Sequence, residues 1–113
     1  MKKLLGIVVL GLVWSNLTLA KGFNISDLDK IGFNKQDQQL FQMIGAIDGW
    51  SGTIDNEVVE AYIYKNSEAI PRDLFKNILN GDNISGWKNY CFKENIALIT
   101  KGNLACEKLK KLK

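Results

Sequence analysis

The first twenty residues constrain the chain most, because they predict the compartment in which the rest folds. Lys2 and Lys3 form a short positive start, and residues 4–14 are apolar apart from two glycines. The stretch then becomes more polar and ends with small residues at Thr18 and Ala20, three positions and one position before a possible cut. This order is typical of a secretory signal peptide. We expect cleavage after Ala20, giving a periplasmic or secreted protein.

An uncleaved leader is the alternative. Residues 4–20 are an uncharged run, but a membrane-spanning helix needs about 20 predominantly apolar residues, and this run turns polar near its end. If the leader stays in place, the protein is a membrane-tethered accessory protein. We expect membrane contact only in that case. With cleavage, residues 1–20 are the signal peptide and residues 21–113 form a single small domain.

Composition excludes several classes of function. The formal net charge is +3, but Lys2 and Lys3 belong to the leader, so the domain itself lacks the strongly basic character of a nucleic-acid-binding protein. The chain contains no histidine, which is the commonest general base and the commonest metal ligand. We therefore expect a non-catalytic protein with no cofactor and no metal.

One stretch partly matches a calcium-binding loop. Asp27 and Asp29 stand at loop positions one and three, and Gly32 stands at position six. Ile31 occupies position five, however, and Gln38 occupies position twelve, where a bidentate acid is needed. Helix capping explains these acids better than calcium does.

Cys91 and Cys106 are the two cysteines of the chain. In an exported protein an even pair indicates a disulfide. Two thiolates without a histidine supply half of a zinc site, and their spacing is not that of a Cys-x-x-Cys redox motif. We predict a structural disulfide that joins the last two helices of the domain.

The spacing of apolar residues predicts an all-α fold, a small bundle of four to five short helices. A short helical turn opens at Ser26 and ends at Gly32, and an amphipathic helix capped by Asn34 carries Leu40, Phe41, Ile44 and Ile47. A third segment spans 56–65, and a fourth begins at Pro71 and stops at Asn80-Gly81. The last two are a short helix with Trp87, Tyr90 and Cys91 and a helix from Asn95 to about Leu112. Residues 56–65 also suit a strand, because Val59, Tyr62 and Ile63 are strand-forming residues.

The predicted partner surface lies around two tryptophans that each follow a glycine. It comprises Gly45, Asp48, Gly49, Trp50 and Trp87, with residues 45–53 as its centre and Trp50 as its anchor. A tryptophan in so small a core is buried by default, but an exposed one marks a binding surface, since tryptophan is enriched at interaction hot spots. We therefore expect a protein-binding function, with another protein as the partner.

A small cell-wall glycan hydrolase is the alternative function. Asp48, Asp55, Glu57 and Glu60 cluster around Trp50 in the sequence, and glycoside hydrolases use paired carboxylates. Nothing in the sequence places two of them at a productive distance. Helix caps and solvated helix faces account for the same four acids.

Two segments resemble a group of known proteins. Residues 41–50, FQMIGAIDGW, and residues 90–98, YCFKENIAL, are similar to helical segments of small exported proteins of Gram-negative bacteria. That group includes the immunity proteins that neutralise type VI secretion effectors in the periplasm. The resemblance implies an all-helical, non-catalytic protein that binds another protein, of an immunity or inhibitor type.

Overall fold

The computed structural model describes residues 22–80 and 86–113. This part of the chain forms five strands, two α-helices and three short 3-10 helices. The strands are β1 (Phe33–Gln38), β2 (Asp48–Ile54), β3 (Glu57–Ile63), β4 (Asn89–Lys93) and β5 (Ile96–Thr100); the α-helices are α1 (Arg72–Asn80) and α2 (Leu104–Lys110); the 3-10 helices are Ile25–Ile31, Phe41–Ile44 and Ser67–Ala69. The predicted leader, residues 1–20, lies outside the described residues, as does Gly81 of the predicted helix stop.

The five strands form one antiparallel sheet in the order β1-β2-β3-β5-β4. β2 and β3 are joined by a two-residue turn, Asp55-Asn56, in which both residues have positive φ, 49° and 68°. Short polar side chains tolerate this left-handed conformation, and a turn of this hand matches the twist of the strands it connects. Asp55-Asn56 is therefore a hairpin turn and not the start of the helix predicted at 56–65.

Two hydrophobic cores lie on opposite faces of the sheet, because side chains alternate along each strand. We call them the α2 face and the α1 face after the helix that covers each. The buried cluster of the α2 face contains Leu28, Phe33, Ile54, Val59, Ala61, Ile63, Ile96, Leu98, Ala105, Cys106, Leu109 and Leu112. The buried cluster of the α1 face contains Ala46, Tyr62, Tyr64, Ile70, Phe75, Ala97 and Ile99.

The disulfide is confirmed, but its place in the fold differs from the prediction. Cys91 lies on β4 and Cys106 on α2, with their Cα atoms 5.8 Å apart. The bond therefore fastens a helix to an outer strand of the sheet and does not join two helices.

The all-α prediction is wrong for the last third of the chain. The segments predicted as a short helix with Trp87, Tyr90 and Cys91 and a long last helix from Asn95 instead contain β4, β5 and, after Gly102, the short helix α2. All five residues of β5 are buried because helices cover both faces of the sheet. A strand buried on both faces loses its alternating pattern, so its apolar run also fits a helix.

The prediction is also wrong between residues 34 and 65. The predicted amphipathic helix is the edge strand β1 followed by the 3-10 helix Phe41–Ile44, and residues 57–63 adopt the strand alternative as β3. Five of the six β1 residues are exposed, and a register irregularity falls between Lys35 and Gln38. A polar, irregular edge strand of this kind hinders pairing with another chain.

Two predicted elements are confirmed. The helix predicted from Pro71 is α1, and its apolar side buries Phe75 against Tyr62 and Phe92, with ring centroids 6.2 and 5.7 Å away. The predicted turn at Ser26 is the 3-10 helix Ile25–Ile31, which ends at Gly32 with φ 85°. None of the helices in the described part of the chain combines the length and the apolar character that a membrane span requires.

Candidate interaction surface

The two tryptophans of the predicted partner surface do not lie together. The half-buried Trp50 packs against the cluster of the α2 face. Trp87, also half-buried, packs against the cluster of the α1 face. The sheet therefore separates them, and they cannot belong to one contiguous contact area.

Besides this packing, the Trp50 side chain makes a hydrogen bond and a cation–π contact. Its Nε1 donates a hydrogen bond to Asp48 Oδ1 at 2.9 Å, and the Lys35 Nζ lies 4.3 Å from its ring centroid. The same Asp48 oxygen accepts a hydrogen bond from the Gly49 N–H at 2.9 Å. Trp50 therefore acts first as a packing residue that covers the sheet near its β1 edge.

The two glycines of the predicted surface have different roles. A Cβ at Gly49 would lie 2.6 Å from Tyr62 Cδ1 and 2.8 Å from the Phe41 Cβ, so only glycine fits there. The close approach at this position is between the backbone of β2 and two aromatic side chains. Gly45 has φ 78° and ends the 3-10 helix Phe41–Ile44, a conformation that glycine adopts without steric cost.

The most exposed large apolar side chains lie just before and at the start of the predicted centre, residues 45–53. Residues 39–47 connect β1 to β2, and we call them the apolar loop. Leu40, Met43 and Ile47 on this loop are 76%, 81% and 60% exposed. Three large aliphatic side chains so close in sequence and so open to water differ from the scattered exposed apolar residues that any surface carries.

The apolar loop is held in one shape by its other side chains and by its backbone. Phe41 and Ile44 point inward and pack against the cluster of the α1 face. The Ile47 N–H donates to the Ile63 carbonyl at 2.8 Å, and the Tyr64 hydroxyl donates to the Ile44 carbonyl at 3.1 Å. Burial raises the pKa of Tyr64 to about 12, so its hydroxyl keeps its proton for this bond even above the ordinary tyrosine pKa of about 10. The loop therefore presents its outward side chains from a fixed support.

Sequence reasoning placed these exposed residues in a core. Leu40, Ile44 and Ile47 recur at helical spacing, so a helix would have buried all three along one stripe. In the structure a short 3-10 helix turns Ile44 inward and leaves Leu40 and Ile47 outward. The available signal was the glycine at position 45, which breaks a helix at that point.

The four acids of the hydrolase alternative do not converge. Glu57 points to the α2 face, where it binds the start of α2, while Glu60 lies on the other face and accepts a hydrogen bond from the Tyr62 hydroxyl at 2.5 Å. Asp48 binds Trp50, and Asp55 pairs with Lys108 at the hairpin tip. Each carboxylate has a local structural partner, and the sheet separates the two glutamates.

Within residues 22–80 and 86–113, no group of three or more histidine, cysteine, aspartate or glutamate side chains could hold a metal ion. The chain matches no protein-family model, no curated protein and no solved structure. Its function therefore has to be inferred from the geometry of its surface.

Proposed function

We propose that this chain is an exported, non-catalytic protein that binds another protein through the apolar loop. The observation that carries the proposal is the exposure of Leu40, Met43 and Ile47 on a loop whose backbone is fixed by hydrogen bonds. A fixed loop loses little conformational entropy when it binds, so more of its contact energy remains as affinity. Burial of large aliphatic side chains supplies that energy.

Export supports this assignment. The leader predicts a compartment in which Cys91 and Cys106 can be oxidised, and the disulfide between them is compatible with that compartment. The residues that carry the resemblance to type VI immunity proteins do not form α-helices: residues 41–50 contain the 3-10 helix Phe41–Ile44 and the start of β2, and residues 90–98 lie in β4, its turn and β5. An immunity or inhibitor role remains part of the proposal through its mode of action, which is protein contact without catalysis.

The experiment is affinity capture with a matched surface control. The full chain carries a C-terminal tag, is exported in its native host and is recovered from the periplasm. A triple variant, Leu40→Ser, Met43→Ser and Ile47→Ser, removes the apolar contact. The control is Val58→Ser, which changes an apolar side chain that is 43% exposed on β3 outside the loop.

We expect one protein to co-purify in constant ratio with the wild type and with the Val58→Ser control, and to be lost with the triple variant. Cooperative thermal unfolding of the triple variant shows that it is folded. Capture of the same protein by the folded triple variant, or of none by the wild type, would contradict the proposed function.

A further inference from the structure

Four parts of the chain are joined through two buried polar side chains. Asn95 lies in the turn between β4 and β5, and Tyr64 directly follows β3; both are buried. Asn95 bonds to Phe23 in the N-terminal segment, and Tyr64 bonds to Ile44 in the apolar loop. Hydrogen bonds between residues far apart in sequence therefore link the N-terminal segment to the apolar loop.

Asn95 holds two backbone segments at once. Its side-chain Oδ1 accepts a hydrogen bond from the Phe23 N–H at 2.7 Å, and its Nδ2 donates to the Phe23 carbonyl at 2.8 Å. The same Nδ2 donates to the Tyr64 carbonyl at 2.9 Å, and the Asn95 backbone carbonyl accepts from the Tyr64 N–H at 2.8 Å. The N–H and carbonyl groups of both Phe23 and Tyr64 are therefore bonded to this one residue.

Tyr64 extends this connection to the apolar loop. Its backbone is held by Asn95, its ring belongs to the buried cluster of the α1 face, and its hydroxyl donates to the Ile44 carbonyl at 3.1 Å. A shift of the Tyr64 backbone carries the rigid ring with it and draws the hydroxyl away from this carbonyl. Polar groups in a buried site form strong hydrogen bonds and are costly to leave unpaired, so this bond fixes the loop at Ile44.

We propose that Asn95 and Tyr64 are positioning residues for the apolar loop and couple its shape to the docking of Phe23. The inference rests on the apolar loop being the binding surface, as in the proposed function. While Phe23 is docked, its backbone holds the Asn95 amide in the orientation that also bonds to Tyr64. When Phe23 detaches, water reaches this amide, which can then turn away from the Tyr64 carbonyl and release the hydroxyl from Ile44. The loop then opens more often and loses the fixed shape that favours binding.

Two backbone amides report on the shape of the loop around Ile44. The Gly45 N–H donates to the Gln42 carbonyl and the Ala46 N–H donates to the Phe41 carbonyl, both at 3.1 Å. A hydrogen-bonded amide exchanges its hydrogen with solvent when the structure around it opens locally. The exchange rates of these two amides therefore measure how often the loop opens.

The first test measures these exchange rates by NMR in the full exported chain labelled with nitrogen-15. Tyr64→Phe keeps the ring and removes the hydroxyl, so we expect exchange at Gly45 and Ala46 to become roughly fivefold faster, the effect of losing one hydrogen bond. The matched control is Tyr62→Phe, which removes a hydroxyl bonded to Glu60 on β3. That bond is not broken when the loop opens, so the control should leave both rates unchanged.

A double-mutant cycle tests the coupling to the N-terminal segment. Phe23→Pro removes both the N–H that bonds to Asn95 and the ring that packs against the α2 face, so it detaches the segment. We expect exchange at the two loop amides to become roughly two- to fivefold faster, and no further rise when the substitution is made in the Tyr64→Phe chain. Gly22→Pro is the matched control, because it leaves the Phe23 N–H and ring in place, and it should not change the rates.

The outcomes separate positioning from a general loss of stability. Loop exchange that is unchanged in Tyr64→Phe, or that rises equally in Tyr62→Phe, would overturn the positioning role. A rise from Phe23→Pro that is the same with and without the Tyr64 hydroxyl, or no rise at all, would overturn the coupling. If Phe23→Pro does not fold, Phe23→Ala, which keeps the N–H, replaces it in the cycle with a smaller expected rise. This readout needs no partner protein, so it can fail while the capture experiment succeeds, and the reverse.

Discussion

At the scale of single residues, Glu57 shows how one strand side chain starts a helix. It stands at the first position of β3, and its carboxylate accepts hydrogen bonds from the Leu104 N–H at 2.9 Å, from the Ala105 N–H at 3.1 Å and from the Thr100 hydroxyl. Burial raises the pKa of Glu57, but the three hydrogen bonds outweigh burial and hold the pKa below its usual value. Asn103 is the N-cap residue of α2, but its side chain makes no capping hydrogen bond, so the Glu57 carboxylate caps the helix in its place.

We expect Glu57→Gln to lower the free energy of unfolding at neutral pH by about 1–2 kcal/mol, since charge-assisted hydrogen bonds are lost. A group whose folded pKa is lowered stabilises the fold above its unfolded pKa, about 4.3 for glutamate, and loses that contribution as the pH falls through the folded pKa. The difference in free energy of unfolding between the wild type and Glu57→Gln, measured by urea unfolding, should therefore narrow as the pH falls from about 7 to 3. Glu107→Gln is the control. A difference that does not change with pH would contradict the capping role of the Glu57 carboxylate.

Trp50 was predicted as the anchor of a partner surface, and its contacts lead to a different expectation. We expect Trp50→Ala to destabilise the domain by about 2 kcal/mol, because removal of the half-buried indole ring leaves a partial cavity against the α2 face. Trp50→Phe keeps most of the packing and should cost less. Urea unfolding measures both. If Trp50→Ala leaves stability unchanged but abolishes capture of a partner, the ring is a contact residue and belongs to the binding surface.

At the scale of elements, the disulfide matters because α2 is short. Seven residues form α2, which is too few for an isolated helix, so the helix depends on tertiary contacts with the sheet. The disulfide from Cys106 on α2 to Cys91 on β4 adds a covalent link to these contacts.

We expect replacement of both Cys91 and Cys106 by serine to lower the free energy of unfolding by about 3 kcal/mol, the entropic value for closing a loop of this size. Urea unfolding of the wild type with and without a thiol reductant should show a similar difference. The reductant should have no effect on the double variant. The same urea midpoint for the oxidised and the reduced wild type would show that the disulfide contributes nothing to stability.

Elements also show where sequence reasoning succeeded and where it failed. Pro71 at the start of α1 and the paired cysteines are local signals that hold in any tertiary context, and both predictions are confirmed. The apolar run of β5 fits a helix and a doubly covered strand equally well, and only the presence of neighbouring strands decides between them. The apolar loop was missed for the same reason, since the helical spacing of its residues gave no sign that half of them face water.

At the scale of the whole molecule, one sheet supports two cores. Leu98 and Ile99 are adjacent on β5, yet they belong to the α2 face and the α1 face respectively. If β5 separates from the sheet, the buried clusters of both faces lose packing contacts at the same time. We therefore expect the two faces to unfold together, as small single domains usually do.

Trp50 and Trp87 make this expectation measurable, and a chain that begins at Lys21 contains no other tryptophan. Trp50 reports on the α2 face and Trp87 on the α1 face, so Trp87→Phe and Trp50→Phe each leave one reporter. In each background, urea unfolding followed by tryptophan fluorescence should coincide with unfolding followed by circular dichroism. Phe75→Ala, which removes a buried side chain from the α1 face only, should cost about 3–5 kcal/mol and should lower both transitions together. A Trp87 transition that moves alone would mean that the α1 layer detaches while the sheet and α2 remain folded.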